Sequence, residues 1–252
     1  QFKTHRGALV GAGVFILILL FVLVGPLMHT VDPTYANLLM RTKAPSLQFP
    51  FGTDYLGRDM LSRVLHGTRF TVGVPLVSAL IASGSGLLLG MAAAVWGGWV
   101  DAAISRALDT LISIPSKMFA LVVVAAFGSS IPVLVLMAGI IYTPGAYRIA
   151  RSLAVTVNAQ DFVTVARARG EGTLHLSLAE ILPNIIGPVL ADFGLRFVYI
   201  VLLLAGLSFL GLGVQPPNAD WGSLVRENMS GLYEGAPAKE AVHALMTRTI
   251  RA

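Results

Sequence analysis

The sequence predicts an all-α membrane protein, a polytopic bundle of helices, on three observations. Only 12% of its 252 residues are charged, about half the roughly 25% of an ordinary soluble domain. The hydrophobic share is 55% and the mean hydropathy +0.76. Five apolar stretches, of about the length that crosses a hydrocarbon core near 30 Å thick, are separated by polar segments.

The first stretch, residues 8–28, follows Lys3 and Arg6. It is too long for a signal-peptide core and lacks a small-residue cleavage site, so it reads as a retained span. Residues 29–69 are polar in character and carry Asp32-Pro33, Lys43, Pro45 and Pro50. The second span covers 70–99, with Pro75 inside it and Gly84, Gly86 and Gly90 as small residues that let helices approach closely. Gly7 with Gly11, and Gly86 with Gly90, form small-xxx-small pairs that read as packing. After a turn at 97–101, a third span covers 107–127 and includes Pro115 and Lys117, whose stem can snorkel to the surface. A fourth covers 132–147 and a fifth 190–214. Residues 215–235 read as a polar loop and 236–252 as a short amphipathic tail. The expected organisation is therefore 1–28, an extracytoplasmic segment 29–69 with an interfacial helix, a core 70–235, and the tail.

Between the fourth and fifth spans lies a polar island, 161–184, bearing Asp161, Arg167, Arg169, Glu171 and Glu180. Its first part predicts a helix over 162–169 with an apolar stripe at Phe162, Val165 and Ala166. Gly170 breaks that helix, since glycine readily takes the left-handed conformation that ends one. A second short helix over 174–181 leads to Leu182-Pro183, where the proline marks the start of the next helix.

Several function classes fall away. A net charge of +5 with no basic cluster argues for orienting loop arginines and against nucleic acid. Cysteine is absent, which excludes disulfides, thiol nucleophiles and thiolate metal sites. His5, His29, His66, His175 and His243 show no ligand spacing. No Gly-x-x-x-x-Gly-Lys-Ser/Thr loop occurs, so the chain is not expected to hydrolyse ATP. An intramembrane enzyme needs a catalytic constellation within its spans, and an ion-driven transporter commonly shows internal repeats with midplane charges. Neither is visible. The only span pair of opposite charges, Asp192 and Arg196, is four residues apart and reads as an ion pair near the inner end of the fifth span.

Charge alone barely orients the chain. With the N-terminus cytoplasmic, inside segments hold Lys3, Arg6, Arg106, Arg148, Arg151, Arg167 and Arg169, against Arg41, Lys43, Arg58, Arg63, Arg69 and Arg226 outside. Arg148 and Arg151, read as following the fourth span, favour a cytoplasmic island.

Three stretches carry a resemblance. Phe51-Gly52-Thr53-Asp54-Tyr55-Leu56-Gly57-Arg58-Asp59-Met60-Leu61-Ser62-Arg63 is one; Ser208-Phe209-Leu210-Gly211-Leu212-Gly213-Val214-Gln215-Pro216-Pro217 with Asp220-Trp221-Gly222 is another. The third is the island, with Thr164-Val165-Ala166, then Gly170, then Leu182-Pro183. Together they resemble the inner-membrane permease subunits of bacterial ATP-binding-cassette importers, in the dipeptide, oligopeptide and nickel branch. That family's island reads Glu-Ala-Ala, three residues, glycine, nine residues, Ile-x-Leu-Pro; here Thr164 stands for the glutamate and Glu180 for the isoleucine.

The resemblance implies a permease of the type I importer kind, multi-pass in the cytoplasmic membrane, carrying peptides, with nickel or a metal chelate as the alternative. It implies a second homologous permease, two ATPase subunits and an extracytoplasmic substrate-binding protein as partners. ATP and Mg would be bound by the ATPases, with no cofactor or metal on this chain. The island residues Thr164, Val165, Ala166, Arg167, Arg169, Gly170, Glu171, Leu182 and Pro183 would couple to the ATPase. Asp54, Gly57, Arg58, Asp59 and Arg63 would form an external gate or binding-protein contact, or else an interfacial helix with internal ion pairs, capped at Thr53 or Asp54. The family pattern also continues into a sixth span, so a gap or truncation is expected near 236–239.

Overall fold

The computed structural model describes residues 31–235 and, ahead of them, positions 11, 13, 16, 17, 20–22, 24–27 and 29. The described positions from 11 to 27 are helical. The rest of the expected first span and the whole tail 236–252 lie outside the described residues. Among those described, helices and turns make up the fold, with one isolated antiparallel bridge between Thr53 and Asp59.

Seven helices follow in order. They are α1 (Met60–Trp96), α2 (Gly98–Ile112), α3 (Ser116–Phe127), α4 (Ile131–Asn158), α5 (Asp161–Ala168), α6 (Thr173–Phe209) and α7 (Trp221–Gly235). Three of them, α1, α4 and α6, are long and apolar enough to cross a membrane, and the bent pair α2–α3 makes a fourth if it is one span. Five spans were expected. The first of those falls in the partly described stretch, and the others have shifted bounds.

Each shift has a local cause. The second span begins at Met60, well before residue 70, because Asp59 caps it: Leu61 N–H and Ser62 N–H donate to the Asp59 carboxylate at 3.3 and 3.2 Å. Residues 53–59 therefore form turns, not the expected interfacial helix, and neither Thr53 nor Asp54 is the cap. The third span breaks at 113–115, where α2 and α3 meet at 82°. Pro115 has ψ 127°, extended in conformation, and the residue before a proline is steered out of the helical region. The fourth span runs on past residue 147 to Asn158, so Arg148 and Arg151 lie within it. They are accommodated by carboxylates of α2, Arg148 on Asp109 at 2.5 Å and Arg151 bidentate on Asp101 at 2.5 Å.

The fifth span starts at Thr173 and stops at Phe209. Its end is a Schellman motif: Leu212 N–H donates to Leu207 O at 2.8 Å and Gly211 N–H to Ser208 O at 3.0 Å, with Gly211 at φ +85°. The expected polar loop 215–235 contains α7, which Asp220 and Ser223 start reciprocally. Ser223 N–H donates to Asp220 Oδ1 at 2.9 Å and Asp220 N–H to Ser223 Oγ at 3.0 Å.

The chain separates into two compact units, residues 1–72 with 205–252, and residues 73–204. In the second unit α1 packs closely on α4 through the small residues expected to do so. A Cβ on Gly86 would meet Ala146 Cβ at 2.4 Å, and one on Gly90 would meet Arg151 N at 2.7 Å. The same unit holds a core of Met91, Ala94, Ala154, Ile181, Ile185 and Val189.

Candidate functional site

Two polar constructions stand out, one in each unit. In the unit 73–204, α5 is a two-turn helix between α4 and α6. Val163 and Ala166 are its buried residues, and they pack with Leu176 and Val157. The stripe expected at Phe162, Val165 and Ala166 is thus rotated: Phe162 and Val165 are 42% and 53% exposed. Thr164, Arg167, Arg169 and Glu171 are exposed as well.

Gly170 ends α5 at φ +85°, in the left-handed region, as expected. A Cβ there would meet nothing within 4 Å, so the constraint is conformational and not steric. Glu171 lies 3.6 Å from His175. The second helical run does not end before Leu182-Pro183. It passes through a π-helical segment, Leu176–Ile181, directly into the long apolar part of α6. Pro183, which has no N–H and crowds the carbonyl four residues earlier, follows the widened π turn and sits inside the helix. Its expected role as a start marker is corrected. The short exposed helix is therefore anchored by a small apolar cluster and joined through one glycine turn to the foot of a long apolar helix.

In the unit 1–72 with 205–252, residues 51–63 fold into a buried ionic clasp. Asp54 Oδ1 accepts from Leu56 N–H and Arg58 N–H at 2.9 Å each. Asp54 Oδ2 accepts from Arg58 Nε at 2.7 Å and Arg63 Nη1 at 2.8 Å. Both arginines then donate to Glu227 Oε2 of α7, Arg58 at 2.9 Å and Arg63 at 2.7 Å. The Asp54 and Arg63 side chains are 0% and 3% exposed. Burial works against charge on Arg58, but the hydrogen bond and charge of Asp54, with Glu227 behind it, hold its pKa above the ordinary guanidinium value. His29 contacts the Asp59 carboxylate that caps α1. Gly57, at φ +75°, lets the loop lie on residues 37–41, since a Cβ would come within 1.8 Å of Asn37 O. Asp54, Gly57, Arg58 and Arg63 are thus brought together, and Asp59, itself one end of the bridge to Thr53, has a separate capping task.

Comparison with known proteins gives these two constructions a context. Residues 86–246 match the family described as binding-protein-dependent transport system inner membrane component, and residues 1–45 match the N-terminal TM domain of oligopeptide transport permease C. The chain belongs to this permease family. It is 37% identical over 214 residues to a probable D,D-dipeptide transport system permease protein of Escherichia coli, covering 85% of this chain and 72% of that protein. It is 34% identical over 231 residues to a di/tripeptide transport system permease protein of Pseudomonas aeruginosa, covering 89% and 76%. A putative peptide transport system permease protein of Brucella abortus is 33% identical over 223 residues, covering 88% and 75%.

Within this permease the Asp192–Arg196 pair forms as expected, with Nε–Oδ2 at 2.6 Å and Nη2–Oδ1 at 3.0 Å. It lies midway along α6, however, and not near the end of a span. Arg196 Nη1 also donates to Tyr142 O at 3.0 Å, so a mostly buried guanidinium is fully engaged by its neighbours. Among the described residues no group of three or more His, Asp or Glu side chains is placed to hold a metal ion. Sequence reasoning missed Glu227, whose partners lie 164 and 169 residues away. Its one local signal is a carboxylate on the buried side of an amphipathic helix, legible only once α7 is recognised. Asn158 was also missed; it ends α4, beyond the expected end of the fourth span at residue 147.

Proposed function

We propose that this chain is the membrane-spanning permease subunit of an ATP-driven importer of di- and oligopeptides. It pairs with a second, homologous permease to form the path. An extracytoplasmic binding protein delivers the peptide, and two ATPase subunits bind ATP and Mg. The N-terminus and the α5 segment face the cytoplasm, and the 51–63 clasp faces outward as part of the gate or the binding-protein contact. The peptide names carried by the relatives support the substrate class.

One observation carries the coupling role. α5 holds two apolar side chains, Phe162 and Val165, out of its own core while Val163 and Ala166 fix its base. Exposed apolar side chains on a small rigid helix suit a cleft in a soluble partner. Closure of the ATPases on ATP would displace α5, and packed helices that switch between discrete arrangements would pass that shift to α6 and α4. Thr164, Arg167, Arg169 and Glu171 would form the polar rim of the contact, Gly170 would connect it to α6, and Leu182 and Pro183, inside α6, would carry the movement onward.

Reconstitution of the purified assembly in proteoliposomes tests the reading. Peptide uptake should require ATP inside and loaded binding protein outside, and should persist when ion gradients are collapsed. Uptake driven by a gradient without ATP would overturn it, and uptake of nickel in place of peptide would overturn the substrate class.

A further inference from the structure

The amide of Asn158 is a single polar link between three helices of the unit 73–204. Asn158 is the last residue of α4. Its Nδ2 donates to Ala94 O at 2.9 Å, and its Oδ1 accepts from Arg167 Nη2 at 3.0 Å. Ala94 lies in the last turn of α1, where carbonyls lack an intrahelical N–H partner. Arg167 lies in the last turn of α5. The amide orientation is dictated by chemistry, because a guanidinium offers only donors and a carbonyl only an acceptor. Reversing it would set the NH2 group against Arg167 and oxygen against oxygen at Ala94.

Apolar packing beneath α5 is undirected. Val163, Ala166 and Leu176 rest on Val157 and would tolerate sliding along it. Hydrogen bonds of fixed length and direction do not. We infer that Asn158 is a positioning residue which locks α5 in register with the last turn of α1, so that displacement of α5 moves α1 together with α4. This rests on the coupling role proposed for α5. Without the amide, α5 would still be carried by α6 through the Gly170 turn, and α1 would keep its apolar packing on α4 and α6, but the directed link that holds α5 in register with α1 would be lost.

The test uses the full transporter in proteoliposomes, with peptide uptake and ATP hydrolysis measured on the same sample, and Ala168→Cys, at an exposed position of α5, cross-linked to the ATPase as control. Asn158→Ala removes both hydrogen bonds and should lower peptide moved per ATP by at least about fivefold, the factor that one net hydrogen bond sets. Cross-linking from position 168 should stay intact. Arg167→Ala, which also removes a rim residue, should lower the ratio at least as much, and adding Asn158→Ala to it should lower it no further, because both changes cut the same link. Asn158→Asp keeps the acceptor for Arg167 and loses the donor to Ala94, so it too should lower the ratio; it is the variant to read if Asn158→Ala does not assemble. Unchanged peptide per ATP in these variants, or losses that multiply in the double variant, would overturn the link while leaving α5 as the ATPase contact. Absence of any cross-link from position 168 in the otherwise unaltered transporter would overturn that contact itself.

Discussion

The clasp at 51–63 and the handle at 161–171 draw on the same residue types and use them in opposite ways. Each has arginines, carboxylates and a glycine at positive φ, at +75° for Gly57 and +85° for Gly170. In the clasp the charges are buried against one another, and Gly57 is crowded by backbone. In the handle the charges lie in the open, and Gly170 has free space around it. A buried network commits its residues to one arrangement, since removal of any partner strands a charge out of water. An exposed helix on a small apolar base keeps its outer face available. Stability is therefore concentrated in the clasp, and the handle is the region we propose for partner recognition.

Substitutions can break or sharpen that contrast. The largest effect is expected from Asp54→Ala, which leaves Arg58 and Arg63 sharing Glu227 alone. Losing one member of a buried pair costs about 3–5 kcal/mol, to be read as a fall in thermal or denaturant midpoint of the detergent-solubilised transporter. Gly57→Ala comes next. The left-handed conformation alone costs a non-glycine residue about 1–2 kcal/mol, and the clash with Asn37 O adds to it. Gly170→Val carries a similar conformational cost but no clash. It should leave membrane insertion intact while uncoupling peptide transport from ATP hydrolysis. Normal coupled transport in Gly170→Val would remove Gly170 from the mechanism. Smallest in stability are Phe162→Ala and Val165→Ala, within about 0.5 kcal/mol as for other exposed sites; their effect should fall on ATPase association. Were Phe162→Ala as destabilising as Asp54→Ala, the contrast between the two regions would fail.

Much of the membrane architecture was legible in composition and apolar run length, because those properties act locally. The bounds of the helices were not, because polar residues inside them are satisfied at a distance. Arg148 and Arg151 read as the end of a span until Asp109 and Asp101 of α2 supply their partners. The sequence Phe162-Val163-Thr164-Val165-Ala166 places apolar residues at two competing sets of i, i+3 positions. Val157 and Leu176 decide between them, and neither belongs to α5. The glycine stop at 170 was legible because φ preference is a property of the residue itself. Asp54, Arg58 and Arg63 were grouped through the resemblance, as a gate or as an interfacial helix with internal ion pairs, and they meet in a turn. The turn they form is fixed by Gly57 against residue 37 and by Glu227, which no local pattern joins to them.

The central claim is that α5 presents Phe162 and Val165 to an ATPase while contributing little to the fold. It is tested most directly by the Phe162→Ala/Val165→Ala double variant, measured for thermal midpoint and for the amount of ATPase that co-purifies with the permease pair. An unchanged midpoint with a marked loss of bound ATPase is expected. Full ATPase recovery at an unchanged midpoint would contradict it.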